Sequence, residues 1–244
     1  MSATRPVPAV RAPQQARSRA STERLLDAAL EVLARAGVGG LTIADVSRVA
    51  GVSVGSLYHR FGDRDGLLAA CQQRFFDRVA DEWLTTGTAI AEERDPRALL
   101  ERIVAAFDEV FGNHRSLFRA FMVTGYDEPT LRAQGIAFSR RTAELMIDLL
   151  AERTAAPREA ADTVYRMLFG HAILEVMFDD GEVSGAPADR TRRRAHLVTA
   201  AAALLSPPDA RASPRPVPAA TRTAGTDPPS PAARPASRGG STTC

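Results

Sequence analysis

Between residues 18 and 205 the apolar side chains recur at helical spacing, and nowhere does a β-branched run of period two stand between turns. That single feature excludes a sheet and leaves an all-α fold. Leu25, Ala28, Ala29, Val32 and Leu33 repeat three and four apart, with Gly37 as a C-terminal stop. Breakers follow at Gly51, Gly62, Gly87, Asp95-Pro96, Gly112-Asn113, 125–129, Pro157, 181–187 and Pro207-Pro208. Asp95 before Pro96 reads as an N-cap with proline in the first helical position. The pattern predicts about nine helices, three of them short and near the front.

The ends differ from this middle. Residues 1–17 carry Pro6, Pro8 and Pro13 with scattered Arg, and are expected to form a disordered basic arm. Residues 206–244 hold nine Pro, five Arg and one large aliphatic, Val217, too little apolar surface to offset conformational entropy. They are expected to be a disordered Pro/Ala/Arg-rich tail. All 31 basic residues are Arg, and the net charge is only +2. The charge is segregated: +3 over 1–66, −4 over 67–205 and +3 over 206–244. A basic front on an acidic body suggests a polyanion-binding head. Two Cys, no signal-like N-terminus and no apolar run of spanning length point to a cytoplasmic protein with no membrane partner.

Residues 41–61, LTIADVSRVAGVSVGSLYHRF, carry the function. Thr42 can cap a helix from Ile43 to Ala50 whose inner face is Val46, Val49 and Ala50. Gly51 supplies a left-handed turn, Val52 plugs it, and Ser53 caps a second short helix in which Leu57 and Phe61 bury. This is a helix-turn-helix, whose second helix enters the major groove N-terminus first. Val54, Gly55 and Ser56 give that end a small, closely approachable first turn; its backbone N–H groups favour phosphate. Tyr58 and His59 lie within reach of backbone oxygens, and Arg64 offers a charge to a phosphate.

Residues 21–70 resemble the N-terminal domain of the TetR family of bacterial transcriptional repressors. The shared features are the amphipathic first helix, the Gly-x-x-x-Leu-Thr connection from Gly37 to Thr42, Ala-Gly-Val-Ser at 50–53, and Gly-x-Leu-Tyr-x-x-Phe at 55–61. The resemblance implies a three-helix DNA-binding domain (18–65) followed by a helical-bundle domain for effector binding and dimerisation (66–205). It implies a homodimer on a palindromic double-stranded operator, released by a small apolar effector. The family's DNA-contact positions fall on Thr42, Ser53, Val54, Gly55, Ser56, Tyr58, His59 and Arg64. Two positions depart from it: Val54 stands where many members have Lys, and Ala44 where some have Arg. Neither can grip guanine; Val54 can pack on a thymine methyl. Base readout then falls to Ser56, His59 and Arg60, with Arg11, Arg17 and Arg19 of the arm on phosphates or a minor groove. The alternative is a DNA-binding protein with little sequence preference or without an effector.

The body is rich in aromatic and Met side chains. Trp83, Phe107, Phe111, Phe118, Phe121, Met122, Tyr126, Met146, Tyr165 and His171 are the candidates for an effector pocket; Phe118-Phe121-Met122 form the preferred wall, and Tyr126, His171 or Asn113 the polar edge. Two late stripes suggest a dimer seam: Ala161, Val164, Leu168, Ala172 and Glu175 in one helix, Leu197, Ala201 and Leu204 in the next. No cofactor, metal or catalytic residue is expected. Gly51 to Gly55 matches G-x-S-x-G, but a nucleophile elbow needs a strand before the Ser, and here a helix precedes it. His59, His114, His171 and His196 lack metal-ligand spacing, and Cys71 reads as a small packed residue.

Overall fold

A computed structural model describes residues 11–124, 127–179, 181–183, 185 and 189–206. Among the described residues there are nine helices and no strand. In chain order they are α1 (Arg11–Gly40), α2 (Ile43–Ala50), α3 (Val54–Phe61), α4 (Arg64–Ala91), α5 (Pro96–Asn113), α6 (Arg115–Thr124), α7 (Pro129–Thr154), α8 (Arg158–Met177) and α9 (Arg190–Leu205). All belong to one compact unit.

Helix starts follow local chemistry. The side chains of Thr42, Ser53, Asp63, Asp95 and Asp189 each accept a hydrogen bond from the backbone N–H three residues on. Each satisfies one of the donors that a helix N-terminus leaves unpaired. Pro96 follows Asp95 in the first turn of α5 as the sequence predicts. At the other end of α2, Gly51 sits at φ 65° and ψ 30°, the left-handed region that glycine enters without a Cβ penalty. Gly37, at φ 66° and ψ 179°, interrupts α1 where a stop is expected.

Helix α1 packs against α2, α4 and α6. Leu25, Ala29, Leu33, Leu41, Val46, Leu57 and Leu67 close the head's core; all are buried. In the body, α5 packs against α4, α8 and α9, and α7 lies against α4 and α8.

Several expectations need correction. The front of the chain does not hold three short helices: α1 has 30 residues, whereas α2 and α3 have 8 each. The arm expected over 1–17 is helical from Arg11 onward, and residues 1–10 lie outside the described residues. So does the expected tail from 207 to 244; Ser206 closes α9. Gly87 does not break its helix, because a mid-helix glycine costs only about 1 kcal/mol and buried Ile90 anchors the turn beyond it. The boundary expected between 65 and 66 falls inside the first turn of α4, which runs uninterrupted from head to body.

The two stripes proposed as a dimer seam point inward. Ala161, Val164, Leu168, Ala172 and Ala201 are each at most 2% exposed within the single chain. They are spent on packing α8 and α9 against α5 and each other. Leu197 and Leu204 are half-buried on the same core, and Glu175 pairs with Arg193. Helical periodicity marks an apolar face without saying whether the chain's own helices or a second copy covers it.

Candidate DNA-reading head and apolar cavity

The turn between α2 and α3 is locked by three short-range bonds. Gly51 N and Val52 N both donate to Ser47 O, and Ser47 Oγ donates to Val52 O at 2.5 Å. Val46 and Leu57 are fully buried beneath the turn. This fixes α3 on α2 and leaves its other face outward. Ser53, Gly55, His59 and Arg60 are exposed, Val54 and Tyr58 are 42% and 51% exposed, and Ser56 is half-buried. The structure therefore brings the predicted α3 residues onto one outward surface. No acidic residue lies in the first turn of α3, so no carboxylate there repels a phosphate.

Three predicted contacts are already engaged. Thr42 Oγ1 accepts from Asp45 N at 3.0 Å and donates to Asp45 Oδ2 at 2.7 Å; it caps α2. That bond and the Arg48 side chain hold the Asp45 carboxyl below its usual range. Arg60 reaches back to the hydroxyls of Ser21 and Thr22 on α1 at 3.4 and 3.5 Å. Arg64 departs further from expectation. Its Nε donates to Leu41 O at 3.1 Å and its Nη2 to Val38 O at 2.5 Å, and Nη1 lies 3.6 Å from Asp65. The guanidinium pins the α1–α2 connection to α4 instead of standing free for a phosphate. The signal was not local: its partners lie 23 and 26 residues earlier. Arg19 is exposed on α1, and the side chains of Arg11 and Arg17 lie outside the described residues.

The body encloses a cavity of about 420 Å³. Helix α4 gives it Gln72, Phe76, Val79 and Trp83; α5 gives Phe107 and Phe111; α6 gives Phe118, Phe121 and Met122. Helix α7 contributes Leu131 to Thr142 along one face, and α8 contributes Tyr165, Phe169 and Ile173. The rings pack on one another: Phe111 on Phe118 at 4.3 Å, Phe76 on Phe138 at 4.3 Å, Trp83 edge-on to Phe107 at 5.1 Å. Burial pushes the Tyr165 hydroxyl's pKa up, with a hydrogen bond to Ser139 opposing.

Of the residues expected to form a pocket, Trp83, Phe107, Phe111, Phe118, Phe121, Met122 and Tyr165 meet here. Met146 does not; it is buried in the core on α7. Nor does His171, whose Nε2 lies 4.0 Å from Asp108, itself bound to Arg194 at 2.5 Å. Asn113 lines a separate polar recess, and Tyr126 lies outside the described residues. Sequence reasoning missed Gln72 and Phe76. Their signal was present: Leu68, Gln72, Phe76, Val79 and Trp83 form one stripe of α4, with a Gln inside an apolar row.

Head and cavity share two elements. Helix α4 starts beside α3 and supplies one cavity wall, and α6 supplies another while packing on α1. Asp27 of α1 is held to Arg74 and Arg78 of α4 at 3.1 and 2.5 Å. Cys71 is fully buried, and that burial pushes its thiol pKa up to about 12, leaving no thiolate for redox sensing. His114 pairs with Glu82 at 2.6 Å. Among the described residues no three His, Cys, Asp or Glu groups gather to hold a metal, and no helix is long and apolar enough to cross a membrane.

A helix-turn-helix with an exposed second helix, set on a helical body, defines a DNA-binding regulator. The comparisons agree. The sequence profile described as bacterial regulatory proteins, tetR family, matches residues 25–71. The HTH-type transcriptional regulator BetI of Paraburkholderia phymatum is 35% identical over 172 residues, covering 68% of this chain and 83% of that protein. The BetI of Burkholderia lata is 34% identical over 171 residues, covering 68% and 84%. Among solved structures, a TetR-family regulator from Mesorhizobium loti superposes with a TM-score of 0.62 at 19% identity, covering 78% of this chain and 96% of that one. The multidrug binding protein EbrR, complexed with malachite green, gives 0.55 at 21% identity, covering 75% and 94%. The chain belongs to the TetR family of bacterial regulatory proteins. It is a transcriptional regulator.

Proposed function

We propose that this regulator is a homodimeric repressor that sets one α3 from each subunit into successive major grooves of a palindromic operator. A small apolar effector in the α4–α8 cavity then releases it. Ser53, Val54, Gly55, Ser56, Tyr58 and His59 form the reading surface. Small side chains at its leading end let the helix approach the base edges, and Val54 packs on a thymine methyl. Thr42 and Arg64 contribute by holding α2 and the α1–α2 connection, and Arg60 and Arg19 flank the surface with positive charge. Two heads on a two-fold axis sit about 35 Å apart, one turn of DNA, or a small multiple of that.

The dimer seam belongs to the outward faces of α8 and α9. There Gly170 and Leu174 are exposed on one helix, and His196, Thr199, Ala200 and Ala203 on the other. Small side chains on two adjacent helices suit a close four-helix packing with a second copy. Sedimentation of wild type and a Leu174→Arg variant tests this: loss of the dimer in the variant supports the seam, and a wild-type monomer overturns it.

The observation that carries the switch is the sharing of α4 and α6 between cavity and head. A ligand that prefers one placement of these helices shifts the spacing of the heads by its differential affinity. EbrR, with the same fold, is a multidrug binding protein seen with malachite green. The test is fluorescence anisotropy on DNA from upstream of this gene and on a shuffled duplex, at two salt concentrations. A preference that survives the higher salt supports specific readout. Equal binding that falls alike with salt on both duplexes supports backbone contact alone.

A further inference from the structure

We propose that Gln72 is the polar anchor of the cavity, and that the ligand class it selects is an uncharged aromatic molecule carrying one hydrogen-bond donor. The inference rests on reading the cavity as the effector site. Gln72 is only 2% exposed, and it lies in the cavity wall with its Oε1 lacking any hydrogen-bond partner among the described residues. A buried amide oxygen left without a donor is rare and costly in folded proteins. Leu or Met at this place in the α4 stripe would fill the same volume at no such cost. Of the other neutral polar side chains of the wall, those of Thr142, Tyr165 and Ser139 are engaged. Thr142 Oγ1 donates to Phe138 O at 3.1 Å, and Tyr165 and Ser139 bond each other.

The charge around the site narrows the class further. Among the described residues no Asp or Glu lines the cavity, and the charged residue at its wall, Arg132, is an exposed cation. A buried cationic ligand would find no carboxylate to compensate its desolvation. Phe111, Phe107 and Trp83 offer ring faces and edges for a flat apolar body. A hydroxyl or ring N–H on that body completes Gln72.

The experiment is calorimetric titration of the full chain with three probes: β-naphthol, its methyl ether and the naphthyltrimethylammonium ion. The naphthol binds about tenfold more tightly than the ether, as one hydrogen bond to a buried, otherwise unpartnered acceptor predicts. In Gln72→Leu the two bind alike, and the variant melts at or above the wild-type temperature, which loss of a merely structural hydrogen bond would not produce. Ether and naphthol binding equally to wild type overturns the anchor while leaving the cavity as a ligand site. Tightest binding by the ammonium ion overturns the ligand class. If no probe binds up to its solubility limit, both the anchor and the cavity reading fall. The comparison of probes on wild type stands even if the variant does not fold.

Discussion

Arg64→Met separates a structural arginine from a phosphate contact. The substitution keeps most of the stem and removes the guanidinium, so Leu41 O and Val38 O lose its bonds at 3.1 and 2.5 Å, while Val38 O keeps the one from Leu41 N. Hydrogen bonds from a charged donor contribute about 1.5–3 kcal/mol each when shielded. The Arg64 side chain is 40% exposed, so water replaces part of what is lost; about 2 kcal/mol for the pair is the discounted figure. The Asp65 pair, at 3.6 Å and largely exposed, adds little. For a chain of this size each kcal/mol shifts Tm by about 2–4 °C, so the expected fall is about 4–8 °C. Operator affinity should drop only as far as the head is loosened. The slope of log K against log salt should stay that of wild type. Loss of a phosphate contact would instead leave Tm alone and reduce that slope by about 0.9. Thermal melts and salt-dependent anisotropy on the same two proteins decide it; an unchanged Tm with a shallower slope refutes the clamp.

Gly66→Ala places a Cβ 2.1 Å from the Phe61 carbonyl oxygen, so α3 must shift against α4; we expect a loss of about 2 kcal/mol or more in urea unfolding. Gly87→Ala meets nothing within 4 Å inside the same helix and should raise stability by up to about 1 kcal/mol. Cys71 should resist a thiol reagent in the folded protein and react only at the rate of global opening; rapid modification without unfolding would contradict its burial. Burial holds the His171 pKa below 6.5 against the opposing pull of Glu175 and Asp108, so the unfolded chain takes up the proton first. Stability from this group is complete above 6.5 and declines as pH falls through the window between 6.5 and the lower folded value. His171→Gln should flatten that part of the pH–stability curve.

The head was legible because its determinants are local. Thr42, Gly51, Ser53 and the Leu57–Phe61 pair each act within a few residues of their partners, and the structure places all of them as the spacing predicts. The cavity was legible in its aromatics but not in its polar group, because aromatic residues announce themselves by type and Gln72 only by its position in an apolar stripe. Arg64 was harder to read for the opposite reason. Its charge suggested a phosphate, while its carbonyl partners lie far back in the chain. The inward stripes of α8 and α9 misled because periodicity marks a buried face without naming what buries it.

The central claim is that the outward face of α3 reads a DNA sequence. Selection of bound duplexes from a randomised library, run in parallel with wild type and Tyr58→Ala, tests it most directly. Tyr58 is half exposed on that face, so the variant should fold as wild type does. The account predicts that wild type enriches an inverted repeat with half-sites about one helical turn apart, or a small multiple, and that Tyr58→Ala enriches it weakly or not at all. A wild-type pool that stays random after repeated rounds would contradict sequence reading by α3.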